Sequence, residues 1–364
     1  MPSESDWSYR GIGARDLRLD YLRGLCLIKM VFNHLWHTPV HAIQHWLGFV
    51  TAAEGFFFIS GVVVGIVHGR RSRQQGLGVT SRQVLQRSSQ LYIANLALVF
   101  LFISLEAAQL LSFDRFQSLW RDSLEWSQLF AFGQPYYLHV LPRYVAFLAL
   151  TPLALWALVK GRSHWILLVA AAAYGVNLAA GGTLWIPWLE RSGFPILAWQ
   201  LLFFVGLWLG EHREGFGRWW RRWNPRLRTP LLLTLFLAFV FYKQGVMNGL
   251  WAGPDGSSLL LSRDALGPLR LINLAIAFAF FFDLVDRCWR PLERLSGGFV
   301  LPIGQASLYV FLMHIPLVWI AKEALVRTPP PLPADAWLLL GDLLLLSLLW
   351  VMVRRRFLFA LVPR

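Results

Sequence analysis

The first apolar stretch of the chain carries polar groups that a lipid-facing segment would exclude. Residues 18–37 read RLDYLRGLCLIKMVFNHLWH and include Arg23, Lys29, Asn33 and His34. On a helix, Arg23 and His34 lie about 20° apart after three full turns and about 16 Å apart along the axis. A cation near one end and an imidazole further along the same face indicate the wall of a polar pathway through a membrane.

A carboxylate in the next apolar stretch is the expected partner of His34. Glu54 lies in AAEGFFFISG, in the outer half of the segment, where an unpaired charge is costly. A carboxylate that orients an imidazole produces a general base, so this pair predicts proton abstraction from a hydroxyl. The structural alternative is a snorkelling Arg23 together with a histidine bonded to a neighbouring carbonyl.

Two more polar groups in apolar segments are candidates for the same site. His314, in GQASLYVFLMHIPLVW, either shares the reaction with His34 or bonds to a hydroxyl across the bundle. Arg143 suits an anionic acyl group or carboxylate, and it is equally suited to a structural ion pair with Glu106. Lys29 is a second cation for such an anion.

A cluster of histidines also follows the first apolar stretch. His34, His37, His41 and His45 would share one helix face and suggest a metal site. Pro39 interrupts the helix, and no group of Asp or Cys residues completes the coordination. We therefore expect a histidine-rich interfacial turn and no metal.

The elements that must position these residues are membrane helices. The 364 residues are 56% hydrophobic and only 15% charged, whereas about a quarter of the residues of a soluble domain are charged. This composition excludes a disordered chain, a fibrous protein and an ordinary cytosolic enzyme. Ten runs are long enough to cross a bilayer: 22–38, 49–67, 88–111, 138–159, 165–182, 195–210, 229–247, 267–286, 298–321 and 336–353.

The charge distribution orients these runs. Most of the 34 Lys and Arg residues lie in connections that share one side, so the net charge of +14 reflects the positive-inside rule and not a nucleic-acid partner. We expect an all-α polytopic membrane protein of about ten transmembrane helices, with both termini cytoplasmic. One domain, 22–353, lies between a cytoplasmic segment, 1–21, and a basic cytoplasmic tail, 354–364. Asp283 and Asp286 are expected to pair with neighbouring arginines.

Six motifs follow one another along the chain: RLDYLRG (18–24), AAEGFFFISG (52–61), RSSQLY (87–92), LPRYV (141–145), LAWQLLFFVGLWLG (197–210) and GQASLYVFLMHI (304–315). They resemble the OpgC family, bacterial inner-membrane transferases that succinylate osmoregulated periplasmic glucans. The arginine and histidine of the first run, with ten residues between them, also resemble the signature of the membrane acyltransferase-3 superfamily.

The resemblance implies a ten-helix fold, a cytoplasmic acyl-CoA donor such as succinyl-CoA, and a periplasmic glucan as acceptor. No tightly bound cofactor is expected. The matching positions are Arg23, His34, Glu54, Arg87 and His314. Two positions depart from the family pattern, since Asn33 and His139 stand where relatives often carry acidic residues. These departures bear on the acceptor and on the acyl group.

The predicted function is therefore a membrane O-acyltransferase. The candidate catalytic residues are His34, Glu54, Arg23 and His314, and the candidate substrate-binding residues are Arg87, Arg82, Arg143, Lys29 and Asn33. The cytoplasmic arginines, which would meet the CoA phosphates, are Arg70, Arg71, Arg73, Arg82 and Arg87. For all of them except Arg87, topogenic charge or contact with anionic lipid is an equal explanation.

The rival function is transport, by a proton-coupled carrier or flippase for a lipid-linked sugar or an organic anion. Carriers commonly contain two similar halves, and no such repeat is present here. The expected partners are acyl-CoA, a glycan acceptor and the lipid bilayer of the bacterial inner membrane. A homo-oligomer is compatible with the sequence.

Overall fold

The computed structural model describes residues 16–35, 47–108, 130, 138–182, 184, 194–251, 259–327 and 333–362. Within these ranges all regular secondary structure is helical. The predicted all-α membrane fold is confirmed. The histidine-rich turn with His37, His41 and His45 lies outside the described residues.

The described helices before residue 212 are α1 (Leu17–His34), α2 (Ala52–Val64), a π-helical turn (Gly65–Gly69), α3 (Arg70–Gln74), α4 (Leu77–Ala107), α5 (Val140–Val159), α6 (His164–Ala179) and α7 (Ile196–Glu211). Those that follow are α8 (Arg213–Arg222), α9 (Pro225–Met247), α10 (Pro268–Arg287), α11 (Trp289–Leu292), a second π-helical turn (Glu293–Gly297), α12 (Gly298–Gln305), α13 (Ser307–Arg327) and α14 (Ala334–Arg354).

Each of the ten predicted runs overlaps a helix. Among the described residues, seven helices are both long and apolar enough to cross a bilayer. Helix α1 falls outside this set because it carries four charged residues in 18, and α6 and α7 are shorter, with 16 residues each. The count of ten crossings, the side of each terminus and the domain limits therefore stay predictions.

Polar side chains and prolines set the helix starts. Asp16 accepts a hydrogen bond from the backbone N–H of Arg18 at the start of α1, and Asn224 caps α9 in the same way, with Pro225 at its first turn. Such caps satisfy backbone N–H groups that have no partner within the helix.

Glycines allow the helices of the bundle to approach closely. A Cβ atom on Gly61 would lie 2.0 Å from the carbonyl oxygen of Phe203, and one on Gly206 would lie 2.3 Å from that of Phe58. Helices α2 and α7 therefore contact each other through backbone, as membrane helices do at small residues. The motifs AAEGFFFISG and LAWQLLFFVGLWLG thus form one helix–helix interface.

The predicted partners of Asp283 and Asp286 are confirmed. Asp283 forms ion pairs with Arg228 and Arg287, and Asp286 pairs with Arg18. These contacts link α9, α10 and α1 at the end of the bundle that the charge distribution predicts to be cytoplasmic.

Candidate functional site

A pair of histidines lies between α1 and α13. Nδ1 of His34 is 2.9 Å from Nε2 of His314, and the ring centroids are 5.1 Å apart. His34 is the last residue of α1 and is half-buried, whereas His314 is buried within α13. His314 therefore contacts His34, and the alternative that the two imidazoles share one reaction stays a prediction.

The surroundings of His314 assign the protons of both rings. Its Nδ1 lies 2.6 Å from the carbonyl oxygen of Phe311 and 3.2 Å from that of Val310. A carbonyl oxygen only accepts, so Nδ1 of His314 carries the proton and its Nε2 accepts from Nδ1–H of His34. In this arrangement Nε2 of His34 carries the lone pair and has the tautomer of a general base.

Aromatic rings hold His314 in place. Its ring packs edge-on against Phe311 at 5.5 Å, and Phe311 stacks on Phe56 at 5.2 Å. Phe56 in turn contacts Tyr144 at 6.0 Å. This series of rings from α5 through α2 to α13 limits the orientations open to His314, which supports its use as a fixed hydrogen-bond acceptor.

Glu54 does not contact His34, and the predicted partnership is corrected. One carboxylate oxygen forms an ion pair with Nε of Arg270, and the other accepts the backbone N–H of Thr51 at 2.9 Å. The sequence Thr-Ala-Ala-Glu is a capping box, which directs the glutamate to the start of its own helix. A guanidinium also compensates a buried carboxylate better than a neutral imidazole does.

Arg23 joins α1 to α12. Its guanidinium donates to the carbonyl oxygen of Gly304 at 3.1 and 2.8 Å and pairs with Asp20 at 2.9 Å. Arg23 thus contacts α12 while His34 contacts α13, in agreement with the shared face expected from their spacing. A catalytic role for Arg23 stays a prediction.

Arg143 is fully buried and binds backbone carbonyls. It donates to the carbonyl oxygens of His139 and Phe194, at 2.5 Å in each case. These bonds attach the start of α5 to the segment before α7. The side chain of Glu106, the alternative partner, lies outside the described residues, and substrate binding by Arg143 stays a prediction.

The two candidate donor-binding arginines of α4 differ in environment. Arg82 is exposed, whereas Arg87 is half-buried and lies close enough to His68 and Tyr144 to interact with them electrostatically. Tyr144 interacts with Arg23 in the same way. Polar groups therefore continue from the predicted cytoplasmic end towards the middle of the bundle, and donor binding by Arg87 and Arg82 stays a prediction.

Lys29 and Asn33 line a cavity on another side of α1. The cavity has a volume of about 320 Å³ and lies between α1, α2 and α10. Lys29 and His34 are about 140° apart around the helix, so the cavity is not an extension of the histidine pair. Nζ of Lys29 lies 3.3 Å from the carbonyl oxygen of Val50.

No role was predicted for Arg270 or Lys243, although both lie in apolar runs. Arg270, in the first turn of α10, binds Glu54. Lys243 of α9 donates to the carbonyl oxygen of Gly48 at 2.8 Å. Both residues could have been identified from the sequence in the same way as Lys29, because each is a charged residue within an apolar segment.

The chain was also compared with known proteins. A family model described as OpgC protein matches residues 15–359, which is nearly the whole chain. No curated protein and no solved structure matches.

Proposed function

The chain belongs to the OpgC family, and from this premise we propose that it is a membrane O-acyltransferase of the bacterial inner membrane. In this proposal it moves an acyl group from cytoplasmic acyl-CoA to a hydroxyl of a periplasmic glucan, and the acyl group that we propose is succinyl. The observation that carries the proposal is the contact between His34 and His314, because its proton arrangement supplies a base inside a membrane bundle.

The reaction needs one proton to move from oxygen to sulfur. As the acceptor hydroxyl attacks the thioester carbonyl carbon, its proton passes to Nε2 of His34 and a C–O bond forms. The C–S bond then breaks, and the proton on His34 is transferred to the departing thiolate of CoA. A thioester is already activated, so a covalent acyl-histidine intermediate is unnecessary.

His314 is a positioning residue in this scheme. It accepts Nδ1–H of His34, and it is held in turn by the carbonyl oxygen of Phe311. This hydrogen bond keeps the lone pair of neutral His34 on Nε2 before proton transfer, and it disperses the positive charge that develops when His34 is protonated.

The two substrates would approach the histidine pair from opposite ends of the bundle. Arg87 would bind a phosphate of CoA, and Arg82 at the surface would add a weaker contact. The acceptor would enter from the side of the C-terminal end of α1, where His34 is half-buried rather than enclosed. Arg143 remains the proposed cation for an acyl carboxylate at this side.

The test is transfer by the purified protein in lipid nanodiscs, with labelled succinyl-CoA and an unsubstituted glucan. We expect labelled glucan and free CoA in equal amounts, and at least about a hundredfold slower formation of both products with the His34→Ala variant. A carrier would leave succinyl-CoA intact, so consumption of the thioester separates the two function classes. Uptake of succinate into proteoliposomes without thioester cleavage would contradict the proposal.

A further inference from the structure

Four charged side chains from four helices meet near the start of α2. They are Lys29 of α1, Glu54 of α2, Lys243 of α9 and Arg270 of α10, and both lysines lie close enough to Arg270 and Glu54 to interact electrostatically. Three of them, Lys29, Lys243 and Glu54, bind backbone groups of residues 48–51, and Arg270 is joined to the same segment through Glu54.

This cluster has more positive than negative charge. Within the described part of the chain it contains three cations and one carboxylate, and that carboxylate is engaged by Arg270 and by the backbone N–H of Thr51. Lys29 and Lys243 donate to the carbonyl oxygens of Val50 and Gly48, which are uncharged. Cations placed among apolar helices without a matching anion are costly, so the cluster is suited to an anionic ligand.

The cavity beside the cluster has an apolar lining. Leu22, Ile59, Leu274 and Phe281 are among its lining residues, and Lys29, Asn33 and Thr51 supply polar groups. The twelve residues of α1 from Leu22 to Asn33 span about 16 Å. Leu25, which also lines the cavity, is 39% exposed, so the cavity opens at the side of the bundle, where the bilayer lies.

We infer that this cavity, the Lys29 groove, binds an anionic phospholipid, with one acyl chain against the apolar lining and the headgroup phosphate at Lys29. The apolar length and the side opening fit an alkyl chain that enters from the membrane. The net positive charge of the cluster fits the phosphate of an anionic phospholipid, whose headgroup contains no cation to neutralise it. Lys29 lies about 7.5 Å from the end of α1, a depth that matches the boundary between headgroups and acyl chains.

The inference goes beyond the proposed function and does not depend on it, because lipid binding requires neither acyl-CoA nor a glucan. The groove lies about 140° around α1 from the histidine pair. If the protein transferred no acyl group, the lipid could still bind in the groove. If the groove bound no lipid, the proposed acyl transfer would still stand.

The test is native mass spectrometry of the full chain, reconstituted in equal amounts of phosphatidylglycerol and phosphatidylethanolamine and then released from detergent. We expect the wild-type protein to retain more phosphatidylglycerol than phosphatidylethanolamine. Lys29→Met should lower that retention about tenfold or more, the effect of one lost charge-assisted contact. Lys29→Arg should preserve it, and Leu25→Trp should lower retention of both lipids by filling the groove.

Two matched substitutions outside the groove serve as controls. Lys160→Met removes a lysine at the end of α5, and Leu153→Trp enlarges an exposed leucine on the same helix; both should retain lipid as the wild type does. Equal retention of the two lipids by the wild type would overturn the inference. So would full retention in both Lys29→Met and Leu25→Trp, or displacement of the lipid by inorganic phosphate, which would indicate a site for soluble anions.

Discussion

The chemistry of His34 depends on which ring nitrogen carries its proton, and His314 determines this through one hydrogen bond. His34→Ala should lower the rate of transfer by about 10²–10⁴-fold, the usual cost of losing general base catalysis. His314→Leu should cause a large but smaller loss, since the base remains and only its orientation is lost. His314→Gln should lose least, because its amide oxygen still accepts a hydrogen bond from Nδ1–H of His34.

Rates measured with purified variants and labelled acyl-CoA check this order. The double variant His34→Ala, His314→Leu should be little slower than His34→Ala alone, because the two residues act as one unit. Additive losses would assign His314 a separate task, such as contact with a substrate. Full activity of His34→Ala would move the base to another residue.

Glu54 offers a second test at the residue scale, because a structural role in the ion pair with Arg270 and a catalytic role would affect different measurements. Glu54→Gln would leave the buried guanidinium of Arg270 without its counter-charge, and such losses destabilise a protein by about 3–5 kcal/mol. We therefore expect a lower Tm. A loss of turnover at an unchanged Tm would contradict this structural role and assign Glu54 a catalytic one.

The companion variant Glu54→Leu, Arg270→Met removes both charges together. It should be more stable than Glu54→Gln, because no unpaired charge remains buried. Thermal unfolding in detergent, measured beside the rate of transfer, decides between the two roles.

At the scale of elements, the contact between α1 and α12 depends on two glycines. A Cβ atom on Gly304 would lie 1.8 Å from the carbonyl oxygen of Asp20, and one on Gly24 would lie 2.5 Å from that of Val300. Gly304→Ala should therefore separate the two helices, disturb the bond from Arg23 to residue 304 and lower the Tm. Gly298→Ala is the matched control in the same helix, since a Cβ atom there meets nothing within 4 Å. Equal Tm values for the two variants would show that the close contact is dispensable.

The elements could be predicted from the sequence much better than their contacts. Helix positions follow from the length of each apolar run, a local property that tertiary packing does not change. Contacts between helices depend on which faces meet. His34 and His314 are 280 positions apart, and Glu54 and Arg270 are 216 apart. Nothing in the pattern of α1 or α2 alone identifies the helix that lies opposite.

The predicted contact between Glu54 and His34 is wrong because it rests only on their similar depth in the membrane. Glu54 lies in the outer half of α2, as His34 lies in the outer half of α1, but similar depth in the membrane does not determine which side chains meet. The capping box that begins at Thr51 was visible in the sequence, and it would have assigned Glu54 to the start of its own helix.

At the scale of the whole molecule, the orientation in the membrane determines which substrate meets which end of the bundle. The arginines in residues 68–87 and 211–228 predict that both segments are cytoplasmic. Leu250, after α9, belongs to a connection predicted to be periplasmic, and it is 73% exposed. A single cysteine in each of these segments shows on which side of the membrane the segment lies. The protein used for this test has Cys26 and Cys288 replaced by serine.

We expect Gly78→Cys and Gly217→Cys to react with a membrane-impermeant thiol reagent only after the inner membrane is opened, whereas Leu250→Cys reacts in cells with only the outer membrane permeabilised. A Cβ atom at residue 78 meets nothing within 4 Å, and at residue 217 it meets only the far end of Arg221, so neither change should disturb the fold. Labelling of residue 78 before the inner membrane is opened would place the start of α4, with Arg87, on the periplasmic side. Arg87 could not then meet a cytoplasmic acyl-CoA, and the proposed direction of transfer would have to be abandoned.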